Sequence, residues 1–197
     1  YTLKDRYSAT FTARADGSSK FGKNNKYAFF PSAGLAWNIS QEDFMKDISW
    51  INQLKLRFGM GTTGNAAVDP YGALGVIGAY WMPFSTGNTM IFVTNEPYYS
   101  SSSNLMSNKD LSWEKTTQFN YGIDFSFLNG RVGGAIDIYH STTSDLLMQM
   151  TIPSLSGYPA MMANVGQTKN FGVDMTLNLV PVRTKDFEWA SDLNLAY

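Results

Sequence analysis

The chain has 197 residues, of which 44% are hydrophobic, 15% are aromatic and 16% are charged, and its formal net charge is −1. Because 15 Lys and Arg residues are balanced by 16 Asp and Glu residues, there is no basic field to attract nucleic acid. The absence of cysteine excludes disulfides and thiolate metal sites. No run of 18 apolar residues occurs, which excludes a transmembrane helix.

Alternation of apolar and polar residues predicts seven β-strands. A period of two puts successive side chains on opposite sides of a sheet, so each strand has one apolar and one polar face. The clearest example is Phe119, Tyr121, Ile123, Phe125 and Phe127, which alternate with Gln118, Asn120, Gly122, Asp124 and Ser126. In chain order the predicted strands are 7–16, 27–39, 54–60, 118–127, 132–139, 171–179 and 187–197.

The two faces of these strands differ in charge. The apolar faces contain 36 positions, none of them Asp, Glu, Lys or Arg, whereas the 32 positions on the opposite faces include nine charges. Those charges are Arg14, Asp16, Lys55, Arg57, Asp124, Asp137, Asp174, Glu188 and Asp192. Such strands are typical of a membrane barrel, with lipid outside and water inside.

The connections alternate between short and long, as in an outer-membrane barrel with periplasmic turns and extracellular loops. Long loops are predicted at about 17–26, 61–117 and 141–169. A link over 40–52 is predicted to hold one or two helical turns, with Ser40 as N-cap and Asp43 three residues on. Short turns are predicted at Lys4 to Arg6, at Leu128 to Arg131, where Asn-Gly favours a type I′ hairpin, and at Pro181 to Asp186.

A soluble β-sandwich with one face on a core is the alternative, since half-buried antiparallel strands also alternate. Composition favours the barrel, because a soluble domain typically has about 25% charged residues and this chain has 16%. Aromatic residues near strand ends would suit interfacial girdles, although ordinary packing explains any single one equally well. They are Tyr7, Tyr27, Trp37, Trp189 and Tyr197.

Six segments in order resemble the barrel of the SusC/RagA family of TonB-linked outer-membrane transporters. The resemblance covers nearly the whole chain, and further short matches are Gly122 to Phe125, Phe127 to Arg131 and the Asn-Val-Gly sequence at Asn164. The six segments are RADGSSKFG at 14–22, FFPSAGLAWN at 29–38, LKLRFGMGTTGN at 54–65, NKDLSWEKTTQFN at 108–120, DIYHSTTSDLL at 137–147 and NFGVD at 170–174.

The resemblance implies an all-β fold, with residues 1–197 forming about seven antiparallel strands of a 22-stranded transmembrane barrel in the outer membrane of a Gram-negative, Bacteroidota-type cell. Seven strands cannot close such a barrel, and residues 1–20 show no signal peptide. We therefore expect a fragment that lacks the plug and the TonB-contacting segment.

The family also implies a set of partners for the whole protein. They are a SusD-like lipoprotein, the protein's own plug domain, the TonB complex, outer-membrane lipid, and an oligosaccharide or peptide substrate. Polar-face residues such as Arg14, Arg57, Asp124 and Asp137 would contact the plug. The chain is expected to be part of a transporter that imports glycans or peptides, with no enzymatic activity and no cofactor. The alternative function is that of a soluble β-sandwich carbohydrate-binding module.

Aromatic residues in the loop 61–117 are the candidate substrate-binding residues. Tyr80, Trp81, Tyr98 and Tyr99 lie among Gly, Ser and Asn, and flat rings flanked by amides and hydroxyls suit stacking on sugars. Packing of the loop against its neighbours or a partner lid is the alternative. Part of this loop, Tyr71 to Trp81, is a candidate extra strand. Met161 and Met162 are expected to cover a surface rather than to bind a ligand.

Catalytic and metal chemistry have little support. His140 is the single histidine, at a strand end, so neither a Ser/His/Asp triad nor a histidine metal site is predicted. Loop carboxylates such as Asp69 and Glu96 leave an oxygen-ligated calcium site open. Gly59 to Gly64 matches GxGxxG, but no helix follows, so these glycines are assigned to a strand end.

Overall fold

The structure is a computed structural model that describes residues 1–70, 72–74, 80–84, 87–91, 105–156 and 158–197. Three short 3-10 helices are present in these ranges: Ile39–Gln41, Asp43–Met45 and Ser154–Ser156. None of the described helices is long and apolar enough to span a membrane. The strands are β1 (Thr2–Leu3), β2 (Tyr7–Gly17), β3 (Tyr27–Asn38), β4 (Ile51–Asn65), β5 (Tyr80–Phe84), β6 (Gly87–Ile91), β7 (Leu105–Met106), β8 (Glu114–Phe127), β9 (Val132–Ser144), β10 (Leu147–Thr151), β11 (Ala160–Asn164), β12 (Gln167–Arg183) and β13 (Glu188–Ala196).

One antiparallel sheet of eight strands forms the main body, in the order β1-β2-β3-β4-β8-β9-β12-β13. All seven predicted strands are confirmed within it, and the short β1 is an eighth that alternation missed. Four of the seven strands extend beyond their predicted ends by more than one residue, namely β4, β8, β9 and β12; β12, for example, continues through Arg183. The sheet is open, because neither β1 nor β13 pairs with a further strand among the described residues.

Short turns lie at one end of this sheet and long loops at the other. The β1–β2 turn closes with Arg6 N donating to Leu3 O at 3.0 Å, and the β8–β9 turn with Gly130 N donating to Phe127 O at 3.1 Å. Both central residues of each turn have positive φ, as a type I′ turn requires. They are Lys4 (52°) and Asp5 (54°), and Leu128 (53°) and Asn129 (56°). The predicted type I′ hairpin therefore forms one residue earlier than Asn-Gly.

The link between β3 and β4 has the predicted helical turns but not the predicted N-cap. It holds two short 3-10 helices, and Ser40 is not an N-cap: its hydroxyl bonds the Asn38 side chain at 2.8 Å instead. The described part of the candidate strand Tyr71 to Trp81 is mixed: residues 72–74 form a turn, so the prediction is wrong there, whereas Tyr80 and Trp81 belong to β5.

The loops at the other end carry their own small sheets and a hydrophobic core. The hairpin β5–β6 is one sheet, and β10-β11-β7 is another, in which β11 and β7 are parallel. The core, here called the loop core, joins residues that are at most 7% exposed: Phe21, Phe30, Val68, Ala73, Leu111 and Trp113. Because Phe30 alternates with the outward Phe29 on β3, this core rests on the polar face of the sheet.

Candidate functional site

The apolar face of the main sheet is largely uncovered. Phe11 is 73% exposed, Phe29 60%, Phe171 62% and Leu195 56%. A soluble sandwich would bury such side chains against a second sheet. No second sheet covers them in the described ranges, so the β-sandwich alternative is wrong. This face is the outward face of the wall, and the opposite face is the inner one.

Predicted girdle aromatics lie at the two ends of the outward face. Tyr7 and Trp37 stack at the turn end, with ring centroids 6.4 Å apart and an interplanar angle of 15°. Trp189, the second residue of β13, lies at the same end, whereas Tyr27 and Tyr197 lie at the loop end. Such aromatic bands mark the two interfaces of a membrane barrel.

An ion network centred on Arg57 occupies the inner face. Arg57 on β4 donates from Nε and Nη2 to both carboxylate oxygens of Asp124 on β8, at 2.7 to 3.0 Å. Its Nη2 also donates to Asp137 Oδ2 on β9 at 3.0 Å. Bidentate pairing of this kind fixes geometry as well as contributing energy. The network ties three adjacent strands together.

Gly122 makes this reach possible. It lies opposite Arg57 on β4 and opposite Asp137 on β9. A Cβ at Gly122 would stand 2.6 Å from Asp137 Oδ1 and 2.7 Å from Arg57 Cζ. The buried Oδ1 of Asp137 has no hydrogen-bond partner among the described residues, and it borders the space that a side chain at Gly122 would take. Only glycine leaves room for both groups.

Two adjoining grooves of mixed polar and apolar lining run along the inner face beside this network. One, of about 360 Å³, is lined by Ser8, Thr10, Gly34, Arg57, Gly59 and Asn120 among others. The next, of about 300 Å³, shares Gly59 and Asn120 with the first and continues to Thr63, Thr116 and Gln118. The glycines among these residues permit close approach of another protein surface, and the amides and hydroxyls can form hydrogen bonds with it.

Two asparagines hold the loop core together. Asn164 Nδ2 donates to Ser112 O at 2.9 Å, and Ser112 N donates back to Asn164 Oδ1 at 2.8 Å. Asn108 Nδ2 donates to Met162 O, also at 2.9 Å. These amides satisfy backbone groups that the loops would otherwise leave unpaired. Both asparagines belong to the segments that carried the family resemblance.

Glu42 is a buried acid that alternation could not identify. It is 8% exposed and accepts hydrogen bonds from Arg6 Nη1 at 2.9 Å, Tyr7 Oη at 2.5 Å and Trp37 Nε1 at 3.0 Å. Bonds from Tyr7, Trp37 and Arg6 hold the pKa of the Glu42 carboxyl below its usual value. Hydrogen bonds from Lys46 and Arg6 likewise lower the pKa of Asp43. This turn-end clasp, formed by Glu42 and its three donors, ties the link to β2 and β3.

The other predicted residues fall at separate places. Arg14 pairs with Asp16 at 2.8 Å and stands over the Phe30 ring at 5.8 Å, so it lies beside the loop core rather than in the Arg57 network. His140 lies on the outward face, opposite Phe119 and Phe171 on the neighbouring strands. Asp137 belongs to the other face of the same strand, so the two do not form a catalytic pair.

The candidate substrate-binding aromatics stay a prediction. Tyr80 and Trp81 begin β5, in the hairpin with β6, while Tyr98 and Tyr99 lie outside the described residues. Asp69 is described and exposed, but Glu96 is not described. Within the described ranges no three His, Cys, Asp or Glu side chains gather as a metal site would require. The GxGxxG segment lies wholly within β4.

The class of protein follows from this geometry: the chain is a section of the wall of an antiparallel transmembrane β-barrel, whose outward face has no charge along the seven predicted strands and whose inner face is charged. Comparison with known proteins gives the family. The model for the TonB dependent receptor-like β-barrel matches residues 1–197. The chain therefore belongs to the TonB-dependent receptor β-barrel family.

Comparison with individual relatives assigns the chain to the SusC/RagA type within this family. The chain is 41% identical over 201 aligned residues to the TonB-dependent receptor SusC of Bacteroides thetaiotaomicron and 37% identical to a TonB-dependent receptor of Formosa agariphila. It superposes on the RagAB peptide importer in its open-open state with a TM-score of 0.83, at 31% identity, over 100% of this chain and 20% of that one. In both curated relatives, 100% of this chain matches 19% of the relative's length.

These relatives are outer-membrane receptors and transporters, and the chain is likewise an outer-membrane β-barrel segment. The fold and localisation implied by the sequence resemblance are thereby confirmed. Its inner-face network and grooves are the candidate functional site, because they are the surfaces that such a wall presents to its lumen.

Proposed function

We propose that this chain forms part of the wall of a TonB-dependent importer, and that its inner face holds the plug domain of the same protein. The observation that carries the proposal is the contrast between the two faces. The outward face has no charge along its predicted strands, whereas the inner face carries the Arg57 network and two grooves that include polar side chains. Charges facing a lumen avoid the cost of meeting lipid.

A plug would find complementary chemistry in the grooves. Asn120 contributes to both grooves, and Arg57 lines the first of them. Because Asp124 and Asp137 together outweigh the single positive charge of Arg57, the network is suited to plug surfaces that supply hydrogen-bond donors.

The proposed cargo is an oligosaccharide or a peptide, imported with a SusD-like surface lipoprotein and with energy passed on by TonB. The proposal draws on the likeness to SusC and to RagAB, the latter being described as a peptide importer. Tyr80, Trp81, Tyr98 and Tyr99 would contribute rings for substrate contact on the loop side.

Site-specific photocrosslinking tests the plug contact. A benzoylphenylalanine is placed at Asn120 of the full-length protein in cells. The control places it at Ile123, which lies on the same strand but on the outward face. We expect Asn120 to crosslink to residues of the same polypeptide that lie outside this chain's 197, as peptide mass spectrometry would show. Crosslinks from Asn120 to this segment alone, or equal plug crosslinks from Ile123, would contradict the assignment.

Uptake measurements test the transport role separately. A strain that lacks the gene should fail to grow on the imported nutrient, and growth on oligosaccharides and on peptides as sole carbon source distinguishes the two cargo classes. Complementation with the full-length gene should restore growth only while TonB is present. Unimpaired growth of the deletion strain on every oligosaccharide and peptide source would contradict an import function.

A further inference from the structure

An apolar groove of about 490 Å³ lies on the outward face near the turn end. Its lining includes Leu3, Tyr7, Ala9, Leu35, Trp37 and Phe58. These residues belong to four adjacent strands, β1 to β4, and their alternation places them on the face that lipid covers. The groove is therefore continuous with the membrane interface of the wall.

The groove forms because the small side chain of Ala9 lies among larger side chains. Ala9 pairs with Leu35, and the next outward pair toward the turn is Tyr7 with Trp37. The stacked rings of Tyr7 and Trp37 form its rim, and Glu42 fixes both of them by hydrogen bonds. A narrow apolar depression with an aromatic rim at the interface fits a methylene chain that enters from the headgroup level.

The turn at the rim carries both signs of charge. Lys4 and Asp5 lie between the groove residues Leu3 and Tyr7, and both are exposed. Within the part of the chain that the structure describes, no ion pair within 4.0 Å involves either residue, whereas Arg6 is taken up by Glu42 and Asp43. An ammonium beside a carboxylate matches a headgroup that carries a phosphate and an ammonium of its own.

We propose that this groove binds one acyl chain of a zwitterionic phospholipid of the periplasmic leaflet, with the headgroup at Lys4 and Asp5. The occupant follows from the outward position of the groove, its apolar lining and the mixed charge of its rim. The site is independent of the plug contact, because it lies on the opposite face of the wall.

Native mass spectrometry of the purified full-length protein tests the site. The protein is equilibrated in detergent with vesicles of equimolar phosphatidylethanolamine and phosphatidylglycerol, and retained lipids are counted. We expect one phosphatidylethanolamine to be retained preferentially. Ala9→Phe fills the groove and should reduce that retention at least tenfold. Ala13→Phe, on the same strand and face but outside the groove, should retain lipid as the unchanged protein does.

A second variant tests the headgroup without touching the groove. Lys4→Asn/Asp5→Asn removes both charges and keeps residues that tolerate the positive φ of this turn. It should still bind a lipid but lose the preference for phosphatidylethanolamine. Heat-modifiable mobility on gels confirms a folded barrel for each variant. Equal retention by the Ala9→Phe and Ala13→Phe proteins, or no headgroup preference in the unchanged protein, would overturn the proposal.

Discussion

Arg57 Nη2 on β4 donates a 3.0 Å hydrogen bond to Asp137 Oδ2 on β9, although β8 lies between the two strands. The Arg57 side chain crosses β8 at Gly122. Because glycine has no Cβ, it leaves space there for the guanidinium group. Three registers must agree for this contact to form, since Arg57, Gly122 and Asp137 lie opposite one another in neighbouring strands. The contact therefore reports on correct strand pairing in the wall.

Gly122→Ala should weaken the wall. The new methyl group would stand 2.6 Å from Asp137 Oδ1, so the Arg57 network must open or shift. Overpacking of this kind costs about 1–3 kcal/mol. The expected result is a lower midpoint of thermal unfolding of the full-length barrel, followed by heat modifiability. Gly133→Ala is the matched control, because its nearest contact is Phe125 O at an ordinary 3.7 Å; equal losses in both variants would argue against the network.

Arginine on the outward face should impair assembly more than arginine on the inner face. Ile123→Arg and Leu177→Arg put a charge into hydrocarbon, at about 2–4 kcal/mol near the midplane. Asn120→Arg and Asn178→Arg put it into the lumen, from the same two strands. The measurement is the folded fraction recovered from the outer membrane. The lipid-facing assignment fails if both pairs assemble equally well.

The turn-end clasp should loosen in acid. Since hydrogen bonds lower the pKa of Glu42 in the folded state, its stabilising effect is complete above the usual value of 4.5 and is lost as pH falls through the lowered value. Hydrogen exchange of peptides spanning 39–50, corrected for intrinsic rates, should rise over that range.

Glu42→Gln should raise this exchange already at neutral pH and reduce its pH dependence, leaving only the change due to Asp43. Asp47→Asn, in the same link, is the control and should behave as the unchanged protein does. If hydrogen exchange of the link in the Glu42→Gln protein matched that in the unchanged protein at every pH, the clasp would not be what orders the link.

Trp113→Ala should open the loop core while leaving the wall folded. Trp113 is 7% exposed, packs on Phe21 and Phe30, and donates from Nε1 to Lys26 O at 3.3 Å. Removing a buried Trp side chain costs about 3–5 kcal/mol. We expect faster hydrogen exchange in residues 18–26 and 108–113 and unchanged exchange in β8 and β9. Trp189→Ala, at a position 55% exposed, should have little effect on these loops.

Trp81→Ala should weaken substrate binding if loop aromatics stack on cargo. Loss of one stacked ring is expected to lower the affinity of the full-length protein for its oligosaccharide or peptide by about tenfold, close to 1.4 kcal/mol. Calorimetric titration measures the change, and Trp189→Ala at the opposite end of the barrel is the control. Unchanged affinity in Trp81→Ala and Tyr98→Ala proteins would assign these rings to packing.

Alternation in the sequence determined the wall: its seven principal strands, its outward face and the side on which the turns lie. It could do so because a period of two is local and because lipid disfavours charge at the outward positions of the membrane-spanning part of each strand. Even the type I′ backbone of the β8–β9 hairpin was predictable, although the turn forms at Leu128 and Asn129 rather than at Asn129 and Gly130.

Only the tertiary structure decided which residues meet. Phe30 belongs to the polar face by alternation, yet it is 3% exposed because Phe21 and Trp113 cover it from two different loops. Glu42 reaches Tyr7 from 35 residues away, and Arg57 meets Asp137 from 80. Such contacts depend on register and loop packing across strands, which no local pattern encodes. The segments of the family resemblance include Phe30, Arg57 and Asp137 but did not indicate their partners.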